Sequence, residues 1–429
     1  MALNQPAARI EAGPRRIEPV GIERYSPPDL VTQRGRPARI AVVHDWFDSY
    51  FGSERVVEQI LACFPDADLF ATVDFVPQDQ RGFLHGKPVT TSFIQRLPFA
   101  NPRFRMYLPL MPLAIEQFDL SRYDLVLSSS HAVAKGVLTG PNQLHVSYLH
   151  APIRYAWEYQ HEYLRQSGLD RGLRGAIARY LLHRVRLWDY RTANGVDRFI
   201  ANSGFIARRI HKIYGRESTI VYPPVDVQRF ALERTKDDYY IAVSRFVPYK
   251  HTETIVRAFE SLPQRRLVVI GDGPGFKRAR AKAPANVTLL GFQSADALCR
   301  HLQRAKALIF AAEEDFGITP VEAQACGTPV IAYAGGGAIE TVRGPDQPRP
   351  TGLFFDAQTP EAIAAAVEAF EREGYAFGPE DCRANALAFA PERFRVSYLR
   401  EVVTAWRAHG GGLSSETLAR MARTAVANA

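Results

Sequence analysis

The sequence has little cysteine and no long apolar run. Its four cysteines are scattered, without a Cys-x-x-Cys pair. This pattern argues against a structural zinc site or a disulfide framework and is typical of a reducing compartment. No apolar stretch approaches the roughly 20 residues that a membrane-spanning helix needs. The first residues also lack the charged-then-apolar profile of a signal peptide, so we expect a cytoplasmic protein that is at most peripheral to a membrane.

The composition is that of an ordinary globular protein, with 46% hydrophobic and 23% charged residues. A chain of 429 residues is too long for one compact core, so two domains are expected. The formal net charge of +8 and the isoelectric point near 9.3 favour an anionic partner. Nucleotide phosphates, nucleic acid and an acidic membrane surface all fit this charge, and composition does not choose among them.

Strand-like apolar runs alternate with helical patterns along most of the chain, which predicts parallel sheets with helices on both faces. The proline-containing segment Tyr222–Asp226 interrupts this alternation and indicates an interdomain connection. The expected divisions are a disordered or loosely attached tail at 1–37, a first Rossmann-like domain at 38–224, a second at 225–390, a terminal helix at 391–408 and a tail at 409–429.

The segment from Glu314 to Glu322 carries the strongest chemical signal. It follows an apolar run that indicates a buried strand, and it leads into a short helix that Gly327 suits as a left-handed C-cap. Ligands of open α/β sheets bind at such strand ends, and the start of a helix attracts phosphate. Carboxylates there can accept hydrogen bonds from sugar hydroxyls, so the segment indicates a sugar-nucleotide site. Another interpretation stays open: Thr319, Pro320 and Glu322 match a capping box.

Two loops of the second domain could contact the phosphates. Arg245 and Lys250 follow the domain's first strand, where a guanidinium and an ammonium group could clamp a diphosphate. Unrelated surface cations are the plainer alternative. The turn around Gly273 follows the next strand, but its glycine spacing is not the dinucleotide fingerprint and predicts no nicotinamide or flavin site.

The first domain offers two further candidates. His131 ends a strand, at a position that would face the cleft opposite Glu314. A lone histidine is more often a structural hydrogen-bonding residue, and this interpretation also stays open. Gly52 follows the first strand and could let a ligand approach the start of the next helix, or it could simply form a turn.

Two basic segments rich in aromatic and apolar residues, 93–118 and 165–191, could contact a membrane. Basic amphipathic stretches of this kind can lie on anionic lipid. The alternative is that each segment packs its apolar side into the core and leaves its arginines in solvent.

Taken together, these residues resemble the retaining nucleotide-sugar glycosyltransferases of family 4, over about residues 38–408. The most specific part is the glutamate pair with seven residues between its members, in the context Asp315–Gly317 and Ala325–Val330. The resemblance implies the α/β GT-B fold, in which two Rossmann-like doubly wound domains face a cleft and the terminal helix crosses back to the first domain. The chain departs from the family where a Gly-Gly pair is common, because Gly52–Ser53 stands there.

The resemblance implies a role for each matched residue. Glu314 would hold hydroxyls of the donor sugar, and Glu322 would hold the ribose of the nucleotide. Arg245 and Lys250 would neutralise the diphosphate leaving group. His131 would hydrogen-bond the reacting sugar and help to place the acceptor. The remaining donor-binding positions would be Gly52, Asn202, Ser203, Gly273, Phe316, Gly317, Ile318 and Thr319.

The implied reaction is sugar transfer with retained configuration by front-face substitution. It would need neither metal nor cofactor, because cations and a helix terminus stabilise the leaving group's charge. The stretch His150–Trp157 is similar to a bacterial mannosyltransferase-like branch, which favours GDP-mannose as the donor. The acceptor implied by that branch is a glycan or a polyprenyl-diphosphate-linked oligosaccharide of surface polysaccharide assembly.

Two other classes of protein stay open. A nucleotide-sugar epimerase of the same architecture would rearrange the donor without an acceptor. A non-enzymatic polyanion-binding protein would bind nucleic acid or lipid with a steep salt dependence and no preference for nucleotide sugars. The ordered motifs of the second domain argue against the latter, and we expect no nucleic-acid partner.

Overall fold

The computed structural model describes residues 28–372 and 377–417. The strands in chain order are β1 (Leu30–Val31), β2 (Ile40–His44), β3 (Asp68–Ala71), β4 (Val89–Thr91), β5 (Leu125–Ser130), β6 (Leu144–Leu149), β7 (Arg198–Ala201), β8 (Ser218–Ile220), β9 (Tyr240–Val243), β10 (Leu267–Ile270), β11 (Val287–Gly291), β12 (Ala307–Phe310), β13 (Val330–Tyr333), β14 (Gly352–Phe355) and β15 (Gly412–Leu413). The α-helices are α1 (Gly52–Cys63), α2 (Ala100–Arg103), α3 (Met111–Glu116), α4 (Gln160–Gln166), α5 (Gly172–Thr192), α6 (Gly204–Tyr214), α7 (Thr252–Ala258), α8 (Phe276–Lys282), α9 (Ala295–Arg304), α10 (Ile318–Ala325), α11 (Ala338–Thr341), α12 (Pro360–Arg372), α13 (Pro379–Ala386) and α14 (Pro391–Ala408).

Two parallel sheets organise the chain. The first has seven strands in the order β4-β3-β2-β5-β6-β7-β8, and the second has six in the order β11-β10-β9-β12-β13-β14. Every neighbouring pair in both sheets is parallel. The prediction of two doubly wound α/β domains is therefore confirmed.

Three of the central strands are buried along their whole length. All residues of β5, β6 and β12 are buried, as expected of strands with packed layers on both faces. In β2, Val42 packs into one apolar cluster of the first domain, whereas Ala41 and Val43 pack into another. Because successive side chains of a strand point to opposite faces, these two clusters lie on opposite sides of the sheet.

The terminal helix α14 packs against the first domain. Its buried residues Phe394, Tyr398 and Trp406 join the apolar cluster that contains β2 and β6 residues. The ring of Phe394 lies edge-on to that of Tyr148 in β6, with 5.6 Å between their centroids. The helix thus joins the end of the second domain to the body of the first, as the resemblance implied.

The two ends of the described chain pair with each other. Strand β1 pairs antiparallel with β15, and Leu30 is buried in the core of the first domain. Residues 28–37 and 409–417 therefore differ from the loosely attached tails that we predicted. Because the strands have two residues each, the sequence gives almost no periodic signal for them. The rest of both predicted tails lies outside the described residues.

Candidate active site

The carboxyl ends of four strands define the cleft. The strand order reverses between β2 and β5 in the first sheet and between β9 and β12 in the second. Ligands of doubly wound sheets bind at such switch points. His131 directly follows β5, Arg245 lies just after β9, and Glu314 lies just after β12. The structure therefore places candidates of both domains at the two switch points.

The loop before α10 turns on a left-handed glycine. Gly317 is the N-cap of α10 with φ of 84°, a conformation that favours glycine, and no side chain caps the helix. The capping-box interpretation of Thr319 and Glu322 is therefore wrong. The predicted backbone donors from Phe316 to Thr319 lie around this start of α10, where N–H groups have no partner within the helix.

Glu322 lies inside the helix and faces the first domain. It is only 7% exposed, and it accepts a hydrogen bond of 3.2 Å from Nη1 of Arg55 in α1. Burial raises the pKa of Glu322, and the guanidinium of Arg55 acts in the opposite direction. Arg55 has no role in our sequence-based prediction, although its place one turn into the helix after Gly52 could have indicated it.

Lys250 and Glu314 meet in the second domain. The Lys250 ammonium donates a hydrogen bond to Oε1 of Glu314, and both side chains are mostly shielded from solvent. Arg245 lies on the same loop with an exposed side chain. The structure thus brings three of the four predicted catalytic residues to neighbouring loops, with an acid–cation pair already formed.

Gly273 fixes the turn beside that loop. Its φ is 149°, and a Cβ atom at this position would lie 2.9 Å from the carbonyl oxygen of Phe246, so there is no room for a side chain. The amide of Phe246 donates to the carbonyl oxygen of Asp272 at 3.0 Å. This backbone hydrogen bond therefore holds the glycine turn against the Arg245–Lys250 loop.

His131 is held by a buried carboxylate. Its Nδ1 lies 3.0 Å from Oδ2 of Asp45, a fully buried residue just after β2. The same carboxylate accepts backbone N–H bonds from His131, Ala132, Val133 and Ala134, at 2.5 to 3.0 Å. Burial works to raise the pKa of Asp45, but the charge and hydrogen bonds of His131, together with the charge of His44, hold it well below its usual range.

The imidazole of His131 responds to this environment. Burial acts to lower the pKa of His131, but the Asp45 carboxylate outweighs it, so the pKa is raised. The carboxylate at Nδ1 leaves Nε2 for other contacts, because a ring has two nitrogen positions. The rings of Trp46 and His131 lie nearly perpendicular to each other, with 4.6 Å between centroids. Asp45 was missed by the sequence reasoning, although a polar residue directly after a strand of the switch point is a usable signal.

Gly52 lies where the two domains approach each other. A Cβ atom built on Gly52 would come within 2.9 Å of Cδ1 of Ile318, at the start of α10. Nearby, Glu54 accepts from the Phe51 amide at 3.0 Å and lies 3.4 Å from Nε2 of His44. Burial opposes ionisation of Glu54, yet His44 lowers its pKa to about 2. Gly52 therefore permits a close contact between the domains.

Asn202 and Ser203 lie at the seam between the domains. Ser203 caps α6 by accepting from the Ile206 amide at 3.1 Å, and its hydroxyl donates to the carbonyl oxygen of Asp315 at 2.5 Å. Asn202 is 5% exposed. Two amides at the start of the same helix hold the carboxylate of Glu340, at 2.7 and 2.9 Å. In this structure the hydroxyl of Ser203 therefore joins the two domains, and the donor-binding roles of Asn202 and Ser203 stay predictions.

Asp315 forms ion pairs with two arginines of the first domain. Arg154 forms an ion pair with it, and Nη1 of Arg209 lies 3.3 Å from its Oδ1. Arg154 belongs to the stretch that resembles the mannosyltransferase-like branch, but no local pattern assigns it a partner in the other half of the chain. Within 28–372 and 377–417, no group of three or more His, Cys, Asp or Glu side chains could hold a metal ion.

Solved structures share this architecture. HepE of Anabaena, crystallised in complex with UDP, superposes with a TM-score of 0.60 and 17% sequence identity, covering 86% of this chain and 100% of that one. At this identity the likeness shows the fold alone, and it confirms the GT-B prediction.

Family models place the chain more narrowly. The model "Glycosyltransferase Family 4" matches residues 51–229, and the model "Glycosyl transferases group 1" matches residues 225–387. The two matches succeed each other through both domains and include all of the predicted catalytic residues. The chain belongs to glycosyltransferase family 4.

Curated relatives match over part of their length. A GDP-mannose-dependent α-(1-6)-phosphatidylinositol monomannoside mannosyltransferase of Mycobacterium tuberculosis is 31% identical over 224 residues, which are 44% of this chain and 55% of that protein. A D-inositol 3-phosphate glycosyltransferase of Mycobacterium leprae is 34% identical over 172 residues, which are 34% of this chain and 40% of that protein. The matches thus span about half of these relatives or less.

Proposed function

We propose that the protein is a retaining glycosyltransferase that moves a sugar from a nucleotide donor to a glycan or lipid-linked acceptor. The observation that carries this proposal is the Lys250–Glu314 pair, which forms between the loops after β9 and β12, where the chain leads into the amino end of α10. The pair places an ammonium group that suits a diphosphate next to a carboxylate that suits sugar hydroxyls, at one switch point. Family membership supports the same reaction.

In the proposed mechanism, the donor replaces the internal ion pairs. Lys250 turns from Glu314 to the diphosphate, together with Arg245, while Glu314 accepts hydrogen bonds from sugar hydroxyls. Glu322 loses its hydrogen bond from Arg55 and accepts hydrogen bonds from the ribose hydroxyls instead. Negative charge grows on the departing diphosphate, and the two cations and the amides of α10 stabilise it without reorganisation of solvent.

The acceptor hydroxyl attacks from the face that the leaving group vacates. Its proton passes to the departing diphosphate oxygen, so one C–O bond breaks as another forms and the anomeric configuration is retained. His131, oriented by Asp45, hydrogen-bonds the reacting sugar through Nε2. This front-face route needs no carboxylate nucleophile and, in our proposal, no metal ion, so activity should persist in EDTA.

We propose GDP-mannose as the donor. The His150–Trp157 stretch and the GDP-mannose-dependent relative support this choice, although HepE was crystallised with UDP. Donor binding stabilises a folded protein by mass action, so a thermal-shift screen of GDP-, UDP- and ADP-sugars tests it. GDP-mannose should give the largest shift, and a larger shift with a UDP- or ADP-sugar would reassign the donor.

Product analysis tests the reaction itself. Glu314→Ala, Lys250→Ala and His131→Ala should each remove most sugar transfer while leaving the protein folded. Near-normal transfer by all three variants would overturn the site assignment. Incubation with donor alone separates a transferase from an epimerase, because only an epimerase would convert the donor into an isomeric nucleotide sugar.

The acceptor side of the proposal includes an anionic membrane surface, reached from the cytoplasmic face. Among the described helices, none is long and apolar enough to cross a bilayer. Helix α5 nevertheless keeps a row of exposed apolar side chains at helical spacing, which are Leu173, Ile177, Tyr180, Leu187 and Tyr190. The alternative in which the apolar side of this segment packs into the core therefore does not explain the exposed residues of α5.

The other basic segment, 93–118, contacts α5. Nε1 of Trp188 in α5 donates to Glu116 of α3 at 2.8 Å, and Arg191 pairs with the same carboxylate at 2.5 Å. Segment 93–118 exposes Phe99 and Met106, among others, with side chains 72% and 60% exposed. Exposed arginines accompany both segments, which suits anionic lipid.

Vesicle sedimentation tests the membrane proposal. The protein should pellet with vesicles that contain phosphatidylglycerol and remain free with neutral phosphatidylcholine, and salt should weaken the binding. Ile177→Glu should abolish pelleting, whereas the matched control Leu387→Glu, an exposed leucine of the second domain, should not. Equal binding by both variants would contradict the assigned surface.

A further inference from the structure

A hollow of about 450 Å³ lies between the domains beside the Lys250–Glu314 pair. Its volume is within the range of ligand pockets, about 300–1,000 Å³. The first domain contributes α4 and the residues before it, and the second contributes the loops that carry Lys250 and Glu314. The side chains that matter for its chemistry are Arg154, Tyr159, Glu162, Tyr163, Tyr249 and Glu313.

Three tyrosines give the hollow an aromatic lining. Tyr159 and Tyr163 come from the first domain and Tyr249 from the second, and all three are partly exposed. Tyrosine rings offer an apolar face and a polar tip to the same ligand. A pyranose ring has the matching surface, with C–H groups on its faces and hydroxyls around its edge.

The charges of the hollow disfavour a phosphate. Arg154 is already paired with Asp315, and Glu162 and Glu313 add two carboxylates. His251 completes the wall, and burial lowers its pKa and so favours its neutral form. A phosphate or diphosphate would face a negative balance here, whereas carboxylates are good acceptors for sugar hydroxyls.

The hollow adjoins the site proposed for the donor. Tyr249 precedes Lys250 in the chain, and Glu313 precedes Glu314. The hydroxyl of Tyr159 lies 3.5 Å from Oε1 of Glu313, so the first domain reaches this wall directly. A sugar in the hollow would therefore sit next to the residues assigned to the donor.

We propose that this hollow is a subsite for an uncharged monosaccharide unit of the acceptor, stacked on Tyr163 and hydrogen-bonded by Glu162 and Glu313. The inference rests on the proposed function, and it names the part of the acceptor that this wall recognises. The phosphorylated part of a lipid-linked acceptor would lie elsewhere.

Saturation-transfer NMR on the full chain tests the subsite. The probe is a mixture of methyl glycosides of mannose, glucose, galactose, rhamnose and N-acetylglucosamine, with GDP or UDP present. At least one glycoside should receive saturation from the wild-type protein. Tyr163→Ala should weaken its binding about tenfold, because an aromatic contact is lost. Tyr163→Phe should retain binding, as should Leu387→Ala, a change at an exposed residue of the second domain that lies outside the proposed sites.

Two results would overturn the subsite. Either no glycoside binds the wild-type protein, or the glycosides that bind it bind Tyr163→Ala equally well. A parallel thermal-shift measurement with nucleotide sugars separates this failure from failure of the proposed function. Stabilisation by a nucleotide sugar with no effect at Tyr163 refutes the subsite alone, and absence of both responses refutes the two together.

Discussion

Lys250 offers a way to separate catalysis from stability. Its ammonium is paired with Glu314, and the two side chains are 16% and 24% exposed. In the proposed mechanism this ammonium leaves Glu314 and stabilises the departing diphosphate. Lys250→Ala removes the cation from the transition state, but it also removes one partner of an ion pair in the free protein.

The two effects differ in size. Removing one preorganised group that stabilises a developing anion costs about 10²–10³ in rate, or about 2.7–4 kcal/mol. An ion pair with this degree of exposure contributes about 1 kcal/mol or less to folding. Lys250→Ala should therefore lower kcat by about 10²–10³, with a loss of about 1 kcal/mol in the free energy of unfolding.

The assay is steady-state sugar transfer combined with denaturant unfolding. Lys306→Ala is the matched control, because Lys306 also pairs with carboxylates in the second domain, 2.7 Å from Glu371 and 3.1 Å from Asp238. It should change stability by a similar amount and leave kcat unchanged. Equal kcat values for Lys250→Ala and the wild-type protein would refute the reasoning, as would an equal loss in the control.

Four further outcomes follow from contacts described above. Arg55→Ala leaves the buried Glu322 without its cation, so it should cost about 1–3 kcal/mol in unfolding free energy. Donor binding should recover more stability than in the wild-type protein, and an unchanged melting temperature would contradict this. Asp45→Asn should lower the pKa of His131, measured by NMR titration, because the carboxylate now raises it. Because the pKa of His131 is raised in the folded protein, protonation of this histidine adds stability below the pKa of an unfolded histidine, and this stability is lost as pH rises through the folded pKa. The loss of stability in His131→Asn should therefore be larger near pH 5 than near pH 9. A loss that does not change with pH would contradict the pairing. Trp406→Ala should cost about 3–5 kcal/mol, since this 2% exposed side chain ties α14 to the first domain, and urea unfolding would show it.

The fold was largely accessible from the sequence because its central strands are short, continuous apolar runs between helical patterns. The edge strands β4 and β8 were missed, since each has three partly exposed residues and no clear period. The strand β14 also escaped prediction, although Leu353 and Phe355 are buried. Short strands depend on the partner that they pair with, and that partner lies far away in the chain.

The site was accessible only where the family resemblance assigns a residue. It implied one site for Lys250 and Glu314, and the structure brings them together because β9 and β12 are adjacent in the sheet. Arg55 and Asp45 were not found, because their partners lie 267 and 86 residues away. No periodicity encodes such pairs.

Ser203 is a residue that the sequence identified but whose contact with the other domain it did not predict. Its asparagine–serine context suggested a donor contact, yet its hydroxyl binds the backbone of Asp315 in the opposite domain. A local pattern identified the polar residue correctly but could not show that the interdomain seam already uses it.

A crystal structure with the nucleotide sugar bound tests the central claim most directly. We predict the diphosphate within hydrogen-bonding distance of Lys250 and the first amides of α10, the sugar hydroxyls on Glu314 and the ribose on Glu322. A nucleotide sugar bound away from these groups, with the Lys250–Glu314 and Arg55–Glu322 pairs intact, would contradict the account.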